Sequence, residues 1–348
     1  MTSVTHAFPG LATSPALAQA VAALALAALA LYAVTGGADF GAGLWDRFAS
    51  GPRKAEQRAV IEHALAPIWE TNHVWLIFVV VLLFSAFPAA FAAIGTALTV
   101  PLTLALVGIV LRGAGFVFRH YGQGTAADNR RWGRIFGGAS LIGPFFLGTA
   151  LAAVTGGRIR VTAEGHVTAP VQAWWGLFPV AVGLFVVALF AFVAGVYLCV
   201  EADSQPLRDD FRRRAIGAGL LAGGLSLLVR IAAAGENPRF SRALFQSPWS
   251  TAAHAVVAVL ALAALGALFS RRFRLARVAA VAQVVAVVVG WGAAQHPFVV
   301  APDLPLLTTA APAATLIAIL CACTAGALVL IPALAWLFHV FKLRPRDN

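Results

Sequence analysis

Residues 66–91 read APIWETNHVWLIFVVVLLFSAFPAAF. An acid, an amide and an imidazole (Glu70, Asn72, His73) stand between Trp69 and Trp75, and every residue after them except Ser85 is apolar. Such a run needs either a deep protein core or lipid around it, and the rest of the chain decides which. Of 348 residues, 60% are hydrophobic and 11% charged, with a mean hydropathy of +0.85. A soluble domain is about half apolar and about one-quarter charged. Two soluble domains would suit the length but not the composition. The chain reads as an all-α polytopic membrane protein.

A spanning helix takes about 20 mostly apolar residues. Nine runs qualify, at roughly 16–34, 73–94, 97–118, 135–155, 174–200, 215–234, 251–269, 275–294 and 310–341, in a single integral membrane domain over 1–348. The second and third meet around Gly95 and Thr96 and are expected to form a tight hairpin. Lysines and arginines alternate with these spans. The loops after the first, third, fifth and seventh spans and the C-terminus hold 19 of them, and the opposite loops hold 4, Arg158, Arg160, Arg239 and Arg242. The positive-inside rule then places the N-terminus outside and the C-terminus in the cytoplasm. The N-terminus lacks the basic region of a secretory signal, so the first run is expected to stay as a helix. Residues 52–65, PRKAEQRAVIEHAL, read as a short surface helix meeting lipid headgroups.

The net charge of +11 is scattered through short loops without a recognition motif, so no nucleic-acid partner is expected. No Walker A loop, dinucleotide fingerprint, CxxCH or HExxH occurs, which removes ATP-driven transport and autonomous redox chemistry. Cys199, Cys321 and Cys323 lie in apolar runs and read as small filling side chains rather than metal ligands. Histidines near either surface read as interfacial rather than as haem ligands.

An ionised group in a membrane needs a partner or a task, because placing it there costs at least about 2.5–3.5 kcal/mol. Glu70 is read either as an acid capping a helix inside an aromatic belt or as a proton-carrying group. Asn72 and His73 favour the second, since capping needs one side chain and Glu70 and His73 share a helix face. Asp39 lies in TGGADFGAG, where Gly37 and Gly41 have the spacing that lets helices approach closely. Arg112 lies two turns deeper than Arg119, so pairing with Glu70 or Asp39 is expected over the alternative of snorkelling to the interface. Arg230 is expected to snorkel outward.

Three stretches, GADFGAGLWD, APIWETNHVWLIFVVVLLFSAFPAAFA and VGIVLRGAGFVFR, together with the later HPFVVAP and VLIPALAWLFHVFK, resemble subunit II of cytochrome bd-type quinol oxidases. The match is ordered from the first span to the last. It implies a multi-pass protein of the bacterial inner membrane that pairs with a related subunit I. Subunit I carries the b- and d-type haems and oxidises quinol while oxygen is reduced to water. Subunit II then has no catalytic residue, no metal and no cofactor held by its own ligands, a structural quinone being left open. It would stabilise subunit I and supply part of a cytoplasmic proton path. The resemblance places Glu70, Asp39 and Arg112 on that path, with His73 beside them and Trp69, Asn72 and Trp75 supporting. Two family acids are replaced, by Gly36 and Val117. The alternative is a proton- or ion-coupled secondary transporter with Pro88, Pro101, Pro144 and Pro332 breaking its helices.

Overall fold

The structure, a computed structural model, describes residues 14–65, 69–120 and 125–342. Helices dominate it. In order they are α1 (Pro15–Arg47), α2 (Lys54–Leu65), α3 (Trp69–Ala86), α4 (Pro88–Ala97), α5 (Thr99–His120) and α6 (Ala126–Thr155). A hairpin of β1 (Arg160–Val161) and β2 (Val167–Thr168) follows. Then come α7 (Gln172–Trp175), α8 (Leu177–Glu201), α9 (Gln205–Glu236), α10 (Pro238–Phe245), α11 (Pro248–Phe269) and α12 (Phe273–Gln295). A second small hairpin, β3 (Phe298–Val300) and β4 (Leu304–Pro305), leads to α13 (Leu306–Thr309) and α14 (Ala313–Lys342). Among the described residues, eight helices are long and apolar enough to cross a membrane, or nine if the bent pair α3–α4 is one span.

Several helices outrun the apolar segments that announced them. The run at 16–34 sits in a 33-residue helix that continues to Arg47, and the run at 215–234 sits in one that starts at Gln205. Arginine, glutamine and glutamate are good helix formers, so a helix need not stop where the hydrocarbon does. Proline and side-chain caps set several starts. Pro15 is at the first position of α1, and Thr125 with Asp128 forms a reciprocal cap on α6.

The span expected at 73–94 is broken at Pro88. Pro88 has no N–H to continue the ladder and forces Phe87 out of the helical region, to φ −135° and ψ 58°. The axes of the two pieces turn by 119°. The carbonyl of Ala86, left over at the break, accepts the Ala311 N–H at 2.8 Å. Instead of a hairpin around Gly95, α4 lies against β2, β3 and α13 and links α3 to α5. The other prolines break nothing: Pro101 sits in the first turn of α5, and α6 and α14 continue through Pro144 and Pro332.

The two ends of the bundle are tied separately. At one, Arg53 grips Asp210 at 2.9 and 2.7 Å, Arg119 meets Asp46 at 2.8 Å and Arg271 meets Asp209 at 3.3 Å. At the other, Asn237 donates to the Thr155 carbonyl at 2.7 Å, Ala301 N–H to Val154 at 3.0 Å, and Arg160 to Asp303 at 2.8 Å. The first set joins the arginine-rich loops and the second joins the poor ones, which is the alternation drawn from sequence. By the positive-inside rule the first end is cytoplasmic.

The centre of the bundle is α8, which packs on α1, α6, α9 and α12. Its approach to α1 is close because a Cβ on Gly37 would meet the Phe190 ring, and one on Gly41 would run into the Phe190 carbonyl and Ala194. By contrast the Ala313–Leu330 stretch of α14 is peripheral, with most of its apolar surface outward.

Candidate functional site: a buried acid–arginine pair

About three-quarters of the way along α1, Asp39 is wholly buried, and Arg112 of α5, 1% exposed, is its partner. Arg112 Nη2 donates to Asp39 Oδ1 at 2.6 Å and to the Asp39 carbonyl at 3.1 Å. Its guanidinium lies over the rings of Phe40 and Phe136, 5.1 and 4.9 Å from their centroids. An arginine suits this place because its planar, weakly hydrated cation can stack on rings while gripping a carboxylate. The open choice of partner for Arg112 thus falls on Asp39.

The helix α3 brings Asn72 and His73 to the same carboxylate. Asn72 is buried and His73 half-buried, its ring 6.0 Å from that of Phe40 and 6.5 Å from that of Tyr32. Trp75 packs on the cluster of Tyr32, Phe40 and Phe190. Of Trp69 and Glu70 only the backbone, at the start of α3, is among the described residues. Four of the residues singled out in the sequence therefore meet: Asp39, Arg112, Asn72 and His73.

Beyond the Arg112–Asp39 bond, several of their polar atoms stay unpaired. Asp39 Oδ2, Arg112 Nε, Asn72 Nδ2, His73 Nδ1 and the Tyr32 hydroxyl are all buried without a hydrogen-bond partner. Buried polar groups nearly always have partners, and ordered water is the usual one where protein supplies none. Five such atoms on α1, α3 and α5 form a polar cluster within the apolar bundle.

A second pair was missed in the sequence. Asp46 takes Arg119 at 2.8 Å and Arg58 at 3.6 Å. Asp39 and Asp46 are seven residues apart, as are Arg112 and Arg119, and Tyr32 lies seven before Asp39. Seven residues are nearly two helical turns, so each set lies along one face. Gly36 and Val117, where the resemblance led us to expect acids, have different surroundings. A Cβ at Gly36 would come within 3.0 Å of the Tyr32 ring, so Tyr32 occupies that space. Val117 is on the exposed face of α5.

A multi-pass α-helical membrane protein with a charge-paired polar centre beneath its cytoplasmic surface is the class these features define. The family model for cytochrome bd terminal oxidase subunit II matches residues 17–341, and the chain belongs to that family. It is 29% identical over 185 residues to the cytochrome bd ubiquinol oxidase subunit 2 of Bacillus subtilis (strain 168), covering 51% of this chain and 52% of that one. It is 34% identical over 120 residues to the cytochrome bd-I ubiquinol oxidase subunit 2 of Escherichia coli (strain K12), covering 34% of this chain and 31% of that one. The chain thus aligns with between about a third and a half of these relatives' length. Its fold is that of a chain in the bd oxidase structure from Geobacillus thermodenitrificans, with a TM-score of 0.80 over 95% of this chain and 100% of the other at 23% identity.

Proposed function

We propose that this chain is the haem-free subunit II of a cytochrome bd-type quinol oxidase. It stabilises a haem-bearing subunit I, in which quinol is oxidised and oxygen reduced to water, and it gives cytoplasmic protons a way into the membrane. The observation that carries the second role is the cluster of unsatisfied polar atoms around Asp39 and Arg112. Family membership supports the first role and speaks against a transporter.

The division of labour follows from the chemistry of each group. The Arg112 guanidinium, stacked on Phe40 and Phe136, supplies the positive charge of the site. Asp39 Oδ1 is committed to it, while Oδ2 has no hydrogen-bond partner. Oδ2 is therefore the atom that takes and releases a proton, through water shared with Asn72 Nδ2, His73 Nδ1 and the Tyr32 hydroxyl. Glu70, at the cytoplasmic start of α3, would collect the proton. Tyr32 and His73 would stand in for the missing acid at Gly36.

The test is purification of the tagged chain from its native membrane in mild detergent, with a reduced-minus-oxidised spectrum. A co-eluting partner with b- and d-type haem bands is expected. A colourless single chain would overturn the proposal.

A further inference from the structure

We propose that the turn between α11 and α12, together with the start of α9, binds the phosphodiester headgroup of an anionic phospholipid from the cytoplasmic leaflet. A cavity of about 510 Å³ opens there, lined by Arg208, Arg271, Arg272 and Arg274, with Phe273 and Leu275 beside them. Two of the four arginines are partly engaged. Arg208 gives its Nε to the Ala202 carbonyl at 2.8 Å, and Arg271 shares Asp209 with Arg212, each at 3.3 Å. Among the described residues, no carboxylate pairs with Arg272 or Arg274.

Those two also stand where a helix disfavours cations. Arg272 is the N-cap of α12, makes no capping hydrogen bond, and no acid lies in the first turn. Arg274 follows within that turn. A guanidinium has no acceptor to offer the first N–H groups, and its charge opposes the positive end of the helix dipole. Just before them, Arg271 ends α11 at a φ of 59°, its own N–H and that of Arg272 bonded back to Leu268 and Ala267, and this sharp turn sets the arginines side by side. Cation on cation at a helix start destabilises this corner unless an anion joins it.

A phosphodiester satisfies each of these demands. Its oxygens accept guanidinium N–H groups in pairs and the free amides of the helix start. Exposed Leu275 and half-exposed Phe273 offer an apolar lip for the glycerol and first methylenes. The pocket is on the arginine-rich end, facing the leaflet whose surface is anionic. The apolar lip and the leaflet favour a lipid over free phosphate.

The test takes the full chain with whatever partner it carries out of the membrane, washed free of lipid in detergent. Fluorescent phosphatidylglycerol is titrated onto it, with the phosphatidylcholine analogue as reference. The double variant Arg272→Gln, Arg274→Gln is expected to bind phosphatidylglycerol about 30-fold more weakly, at about fivefold per arginine. Phosphatidylcholine binding should not change. A control, Arg130→Gln with Arg131→Gln on α6, removes the same charge at the same end and should stay within about twofold of the parent, screening being effective over that distance. Leu275→Glu puts a carboxylate at the pocket lip where it suits the helix dipole, so it tests the site even should the double variant not fold. Unchanged binding in both pocket variants, or an equal loss in the control, overturns the proposal. Release of the lipid by millimolar inorganic phosphate would assign the arginines to free phosphate and overturn the lipid reading.

Discussion

Asp46 and Arg119 repeat, seven residues further along both helices, the pairing of Asp39 with Arg112. The two rungs show that α1 and α5 run parallel and in fixed register, and they differ chiefly in depth. Both residues of the inner rung are almost fully enclosed, whereas Arg119 and Arg58 at the outer rung are 21% and 35% exposed. The arginine partners of Asp46 therefore reach bulk solvent, and Arg112 does not.

That difference gives the first prediction. Asp39→Asn leaves Arg112 buried and uncompensated, a loss of about 3–5 kcal/mol for a buried pair. Asp46→Asn should lose on the order of 1 kcal/mol, as for a solvent-accessible pair. Thermal unfolding of the detergent-solubilised protein measures both. Combining Asp39→Asn with Arg112→Gln removes both charges and should recover much of the stability. It should not recover quinol-driven oxygen uptake, because no carboxylate remains to carry the proton. Recovery of both would reduce the pair to a structural strut.

Glu70→Gln removes a proton carrier while keeping the shape and hydrogen-bonding reach of the side chain. Assembly and haem content are expected to stay at parental levels, with oxygen uptake slowed by about 100-fold or more, the range over which a positioned acid–base group contributes. Turnover equal to the parent at full haem content would exclude Glu70 from the route.

Much of this was legible in the sequence because membranes make demands that hydropathy reports directly. The runs at 251–269 and 275–294 coincide with α11 and α12 to within a few residues. Arginine placement sorted the loops into two ends that the ion pairs then joined. Asp39, Arg112, Asn72 and His73 stood out because polar atoms are costly in an apolar run. What stayed hidden needed knowledge of which helices touch. The seven-residue spacing of Tyr32, Asp39 and Asp46 matches that of Arg112 and Arg119, yet only the contact of α1 with α5 turns the two lists into a ladder. Phe136, which covers Arg112, comes from a third helix and carries no polar signal at all. The bend at Phe87 was hidden for another reason, since Pro144 and Pro332 leave their helices intact and Pro88 does not.

The contact of α1 with α8 allows a test of glycine in the bundle. A methyl group on Gly41 would overlap the Phe190 backbone, which cannot step aside as a side-chain tip could. Gly41→Ala should destabilise by about 1–3 kcal/mol, the range for overpacking, and Gly41→Leu should abolish the folded species. Gly95 in α4 has nothing within 4 Å of the place where a Cβ would stand. There alanine should be neutral or stabilising by up to about 1 kcal/mol, as helix propensity dictates. Fluorescence-detected gel filtration after graded heating separates these outcomes.

The last prediction concerns the outer end, where Asp303 ties the β3–β4 segment to β1. It accepts the Val161 N–H at 2.9 Å and Arg160 Nε at 2.8 Å. Partial burial pushes the Asp303 carboxyl up, but these two donors outweigh it and hold the group below its ordinary 3.8. A depressed carboxyl contributes stability above its unfolded pKa and loses it as pH falls through the folded one. The clamp should therefore be fully closed at neutral pH and open only in acid below the ordinary carboxyl range. Arg160 is 62% exposed, so the loss is local rather than global. Hydrogen exchange at the Val161 amide should be slow at neutral pH and should quicken in acid, beyond the intrinsic pH trend of an exposed loop amide. Asp303→Asn removes the group that titrates, so in this variant the extra acid-dependent opening disappears. An amide equally protected at both pH values in the parent protein would mean that the segment is held by the Ala301–Val154 hydrogen bond instead.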